Sequence, residues 1–162
     1  MSADTRNQTS IEVSTTVPTV TITREFDAPV ALVFRAYTEA DLFRQWIGPR
    51  DHTFEIQEFD CRTGGAWRYS TSDENFEARF FGAFHEVRAD ERIVQTFIYE
   101  GFPDQVALET AIFEDLGNGR CRVTSTSLVD SFEARDGFVA SGMETGVVEG
   151  YEKLDELLAT LS

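Results

Sequence analysis

Acid–base work near neutral pH falls first to histidine, and this chain offers only two, His52 and His85. His52 follows Gly48-Pro49 in a turn, where a solvated ring is expected. His85 lies in a strand-like run, so it faces either solvent or the interior, as an acid or base in the second case. Alternation alone leaves that open. A hydrolytic triad would need one of these rings beside a nucleophile and an acid, and no motif brings such a trio together. Gly64-Gly65 stands between two strand signals rather than between a strand and a helix, which suits a tight turn better than a phosphate loop. Cys61 and Cys121 are sixty residues apart, without CxxC or Cys-His spacing, and read as two buried, reduced thiols. Metal-ligand spacing is absent, and no cofactor is expected.

What the chain holds in quantity is aromatic surface: 14 Phe, 4 Tyr and 2 Trp, or 12% of the residues. Large rings dominate the energetics of cores and of pockets alike. Which of the two they serve depends on the elements that carry them.

Residues 1–16 are polar, rich in Ser and Thr, and without period, the pattern of a disordered leader. A single folded domain is expected over residues 17–162. Val20 and Ile22 alternate with Thr19, Thr21 and Thr23 in a half-buried strand. Asp27-Ala28-Pro29 ends it, with Asp27 as a helix cap and Pro29 in the first turn of a helix burying Val33, Phe34 and Tyr37. Thr38 is a second cap, for a short helix through Leu42, Phe43 and Trp46 that Gly48-Pro49 closes. Five strand runs follow at hairpin spacing, over residues 53–60, 66–72, 76–87, 92–100 and 105–114. Gly117-Asn118-Gly119 turns into a last one, 120–129. Connections this short argue antiparallel pairing.

At the C-terminus Val139, Met143, Val147, Tyr151, Leu154 and Leu158 recur at three- and four-residue steps, the stripe of a helix. Gly142, Gly146 and Gly150 form a second stripe. Each glycine costs a helix about 1 kcal/mol against alanine, so the stripe implies either close backbone packing against the sheet or room left for a ligand.

The order is that of an α+β helix-grip fold: a curved antiparallel sheet of about seven strands around a long C-terminal helix, with two short helices after the first strand. Local sequence carries this further. Phe26-Asp27-Ala28-Pro29 then Val33-Phe34, Trp46-Ile47-Gly48-Pro49, the runs Asp60 to Trp67, Gly82 to Val87 and Glu91 to Phe97, and Gly142 to Leu158 come in sequence. Together, over about residues 17–162, they resemble the family named for the activator of heat-shock protein ATPase, within the START-like (SRPBCC, polyketide cyclase-like) superfamily. The resemblance implies the helix-grip fold, and members of the wider superfamily bind lipids, hormones, polyketides and other apolar molecules. The eukaryotic cochaperone behind the family name has an additional N-terminal chaperone-binding domain. Only sixteen residues precede the first strand here, so a chaperone partner is not expected.

In such a fold Phe34, Tyr37, Trp46, Trp67, Tyr69, Phe80, Phe84, Phe97 and Tyr151 sit on elements that line the space between sheet and helix. With Thr110, Met143 and Val147 they are the candidate ligand-binding residues. Core packing accounts for any one of them, but together they exceed what a plain core needs. Tyr69, Arg79, His85, Thr110 and Ser125 are the candidate polar groups, depending on strand phase. The expected function is binding of a small hydrophobic or aromatic molecule in a cavity between sheet and C-terminal helix. Two alternatives stand beside it: a cyclase-, aromatase- or hydrolase-like enzyme with a pocket acid or base, and a chaperone-associated interaction module. A net charge of −15 repels nucleic acid and anionic membranes. The chain has no apolar run of eighteen residues and no signal pattern, so a cytoplasmic protein is expected, with a homodimer left open.

Overall fold

The structure, a computed structural model, describes residues 7–161. Residues 1–6 of the expected leader, and Ser162, lie outside that range. In chain order the elements are β1 (Ser10–Val13), β2 (Thr19–Phe26), α1 (Val30–Thr38), α2 (Ala40–Phe43), β3 (Thr53–Phe59) and β4 (Ala66–Ser72). They continue with β5 (Glu77–Arg88), β6 (Arg92–Tyr99), β7 (Val106–Gly117), β8 (Arg120–Leu128), α3 (Phe132–Ala140) and α4 (Met143–Leu161).

All eight strands join one antiparallel sheet in the order β1-β2-β8-β7-β6-β5-β4-β3. The chain leaves β2 through α1 and α2, re-enters at the far edge as β3, and meanders back until β8 pairs with β2. That closing pair is fully zipped, from Thr19↔Leu128 to Phe26↔Cys121. The sheet has one strand more than expected. The extra one, β1, comes from the segment read as leader and sets Ile11 opposite Ile22. It is too short for a period to show in sequence, and its pairing rather than its composition makes it a strand.

Both anticipated N-caps are replaced. Pro29 is the N-cap of α1, and Asp27 accepts hydrogen bonds from Arg120 Nε (2.9 Å) and Asn7 Nδ2 (2.7 Å). Glu39 holds the N-cap position of α2, while Thr38 Oγ1 donates back to Phe34 O at 2.9 Å. Trp46 lies just past α2, where its indole N–H donates to Ala36 O at 3.0 Å.

The C-terminal helix is two helices. Ser131 caps α3, accepting from Ala134 N at 3.0 Å, and Gly142 at φ +89° forms the joint with α4. Left-handed backbone of this kind is cheap only for glycine. α4 turns Tyr151, Leu154 and Leu158 into the core. It is clamped to the sheet by Arg24 of β2, whose guanidinium donates to both oxygens of Asp155 (3.1 and 2.5 Å) and to Glu25 O (2.8 Å). At Gly150 a Cβ would stand 3.0 Å from Trp46 O and 3.3 Å from Gly48 N. The close packing expected of the glycine stripe therefore exists here, against the 46–48 loop and not the sheet.

Candidate functional site: a cavity between sheet and helix

Period-two geometry sends alternate side chains of each strand toward α4. On the adjoining strands β7 and β8 these include small residues, Ala107 and Ala111 on β7 and Ser125 and Ser127 on β8. On β4, β5 and β6 they are rings, Tyr69, Phe80, Phe97 and Tyr99. Across from them α4 offers Met143, Gly146, Val147 and Tyr151. Small residues beneath a helix that carries glycine on the same face cannot fill the gap. A cavity of about 1220 Å3 results, above the roughly 300–1,000 Å3 of ordinary small-molecule pockets.

The cavity is a cleft with a floor and a mouth. Beyond Ala111, Phe113 meets Phe34 and Tyr37 with ring centres 5.0 and 5.1 Å apart, and the interior there is solid. At the other end Phe76, Phe102 and Phe138 rim the opening, the first two 58% exposed.

Seven of the twelve candidate residues line this space: Trp46, Tyr69, Phe80, Phe97, Met143, Val147 and Tyr151. Five do not. Phe34 packs edge-on against Phe113, and Tyr37 stands behind Tyr151, its hydroxyl donating to the Tyr151 hydroxyl at 3.1 Å. Trp67 stacks behind Tyr69 at 5.2 Å and is 4% exposed, and Phe84 lies edge-on to Phe59 at 5.9 Å. Thr110 sits on the opposite face, because β7 turns Ala107, Glu109 and Ala111 inward and leaves Leu108 42% exposed. Among the candidate polar groups, His85 and Arg79 are exposed, Arg79 pairing with Glu77 at 2.8 Å. Tyr69 faces inward, and Ser125 lies against the Tyr151 hydroxyl.

Glu109 is the polar centre that the sequence hid. Ser127 Oγ donates to its Oε2 at 2.7 Å and Gln95 Nε2 to its Oε1 at 3.3 Å. The residue keeps some surface toward the cavity, yet protein surrounds its carboxyl, and this desolvation pushes the pKa above the ordinary carboxylate value against the pull of the two donors. Burial likewise raises Tyr69 and Tyr151, so both phenols stay neutral.

His52 also departs from expectation. It lines the mouth, with Nδ1 2.9 Å from Thr71 Oγ1 and Nε2 3.6 Å from Asp73 Oδ2. Gln105 turns a buried, unpartnered Oε1 at the same mouth. Cys61 and Cys121 are free thiols, each pushed up to about 12 by burial, and neither lines the cavity. Among the described residues no group of three or more His, Cys, Asp or Glu is placed to hold a metal ion. No helix there is long and apolar enough to cross a membrane.

One sheet curled over a C-terminal helix, with an open space between them, defines a helix-grip protein of the START-like (SRPBCC) class. The family model described as "Activator of Hsp90 ATPase homolog 1-like protein" matches residues 27–159, and the chain belongs to that family. Solved structures agree. A solution structure of a protein from Arthrobacter aurescens is 24% identical, with a TM-score of 0.84 over 93% of this chain and 91% of that one. A crystal structure of a protein from Mycobacterium smegmatis is 23% identical, with a TM-score of 0.83 over 94% and 98%. A solution structure of a protein from Staphylococcus epidermidis is 26% identical, with a TM-score of 0.79 over 93% and 94%. A comparison with curated proteins finds no match.

Proposed function

We propose that this protein binds a small, largely apolar molecule in the cavity between its sheet and α4. The observation that supports the reading is the lining: Tyr69, Phe80 and Phe97, in ring contact along the sheet (5.5 and 5.2 Å), face open space together with Met143, Val147 and Tyr151 of α4. Burying a ligand of about 20 heavy atoms at about 0.3 kcal/mol per atom gives roughly 6 kcal/mol, a dissociation constant of tens of micromolar. Trp46 lies in the wall and reports occupancy. Its fluorescence is expected to change saturably on titration with naphthalene-sized compounds, and a flat response across polar and apolar probes alike would refute the reading. The cytoplasm is the proposed compartment, consistent with two free thiols among the described residues.

A second reading, acid–base chemistry in the same cavity, rests on His52 held against Thr71 beside Asp73. It predicts hydrolysis of activated aryl esters that His52→Ala abolishes; a rate equal to that of buffer refutes it. For the family's chaperone association, Leu108 and Leu128 pair on the outer face and, with Val106, leave an apolar surface exposed, but nothing on it selects a partner.

A further inference from the structure

The cavity has one sign of charge. Glu109 sits in its wall and Glu133 at its mouth, and among the described residues no lysine or arginine lines it. Lys153, the single lysine of the chain, is spent elsewhere: its ammonium donates to Ile47 O at 3.0 Å and lies over the Phe54 ring at 5.5 Å. Arg24, the inward-facing arginine of β2, is held by Asp155. Glu109 takes part in no ion pair among the described residues, and its two donors, Ser127 and Gln95, are neutral. A carboxylate offers about four acceptor directions, so two remain for something that enters the cavity. An enclosed acceptor without a cation is an incomplete pair.

We infer that the cavity selects apolar molecules carrying a protonated amine, with Glu109 as the counter-charge, and discriminates against carboxylates such as free fatty acids. The inference rests on the ligand-binding reading above and narrows it to one class. Neighbouring rings suit the same ligand. Tyr69 and Tyr151 both feel the Glu109 charge, and aromatic faces attract cations. The net charge of −15 steers cations toward the protein and anions away.

Binding of the amine requires Glu109 ionised. Because burial raises its pKa, affinity falls on acidification at a pH above the ordinary carboxylate range. The other titratable groups lining the cavity are Tyr69, Tyr99 and Tyr151, and His52 and Glu133 at the mouth. The Tyr69 and Tyr151 phenols, raised by burial, stay neutral through that range.

The experiment uses three probes of one shape, 1-naphthylmethylamine, 1-naphthylmethanol and 1-naphthoic acid, titrated calorimetrically into the full chain at neutral pH. The expected order is amine, alcohol, acid, with the amine at least about tenfold tighter than the alcohol, a gap of about 1.4 kcal/mol. Glu109→Gln is expected to erase that tenfold gap between amine and alcohol. An acid that binds as well as the amine overturns the inference with the native chain alone, whether or not the variant folds. An amine preference that survives Glu109→Gln overturns it too. If the alcohol binds and the three probes are equal, only the amine selectivity fails. If none binds, the ligand-binding reading fails with it.

Discussion

Glu109 is held where a carboxylate is costly, and the cost is measurable. Burial raises its pKa, so the folded chain keeps this proton to higher pH than the unfolded chain does. Stability from that proton is present below the unfolded value, is lost as pH rises through the folded value, and above it the buried charge is a constant penalty. Glu109→Gln removes the charge and keeps the shape, and the Ser127 hydroxyl and Gln95 amide can both reorient to serve it. The variant is expected to melt higher than the native chain at pH 7 by about 2–4 °C, the shift that about 1 kcal/mol produces at this size. The gain should vanish in acid, where both chains are uncharged at this position. Calorimetric melting at pH 7 and pH 4 checks it, and a lower Tm at pH 7 would contradict it. No pattern in the sequence marks Glu109. In Ala107-Leu108-Glu109-Thr110-Ala111-Ile112 the larger apolar set, Leu108 and Ile112, faces outward and the alanines and the acid face in. Alternation fixes a period but not a phase, and here hydrophobicity favours the wrong one, because an inward face that leaves a cavity need not be the greasier face. For the same reason Thr110 was expected inside and stands outside.

At the scale of elements, α4 carries two jobs that its sequence blends into one stripe. Asp155 completes the clamp on Arg24, whose side chain is 4% exposed against 38% for Asp155. Removing one partner leaves the other charge buried and alone, so Asp155→Ala is expected to destabilise by about 3 kcal/mol, the lower end of such losses because the carboxylate is partly wet. Urea unfolding measures this directly, and a loss below about 1 kcal/mol would show the clamp to be ornamental. The glycines separate by what lies opposite. A Cβ at Gly146 meets Pro49 at 3.5 Å, ordinary contact, so Gly146→Ala should gain helix propensity and stabilise by up to about 1 kcal/mol. A Cβ at Gly150 meets Trp46 O at 3.0 Å, so Gly150→Ala should give back that gain or more in displaced loop. Equal effects at the two positions, measured by denaturant midpoint, would contradict this division. The three- and four-residue recurrence from Val139 to Leu158 was enough to read a helix in the sequence. The break at Gly142 was not readable, because a glycine in register with the stripe looks the same whether it sits inside a helix or, at φ +89°, between two.

For the whole molecule, the sequence order of one strand, two short helices, a run of hairpins and a closing helix sufficed for the fold, since short turns admit little but an antiparallel meander. What it could not supply was how tightly sheet and helix meet. That gap depends on the sizes of residues brought together from β7, β8 and α4, which are far apart in the chain: Ala107 and Ser127 opposite Gly146 and Val147. The rings named from sequence on β4, β5 and β6 fall on the cavity wall when they sit level with those small residues. Candidate rings fall into solid core when they sit level with Phe113 or Phe59, as Phe34 of α1 and Phe84 of β5 do. The central claim is that this gap receives a small apolar molecule. Native mass spectrometry of the full chain with 1-naphthylmethanol, beside an Ala107→Trp variant that fills the space with its own ring, tests it most directly. The account predicts a one-to-one adduct of the native protein that the folded variant lacks; no adduct of the native chain, or equal adducts of both, would contradict it.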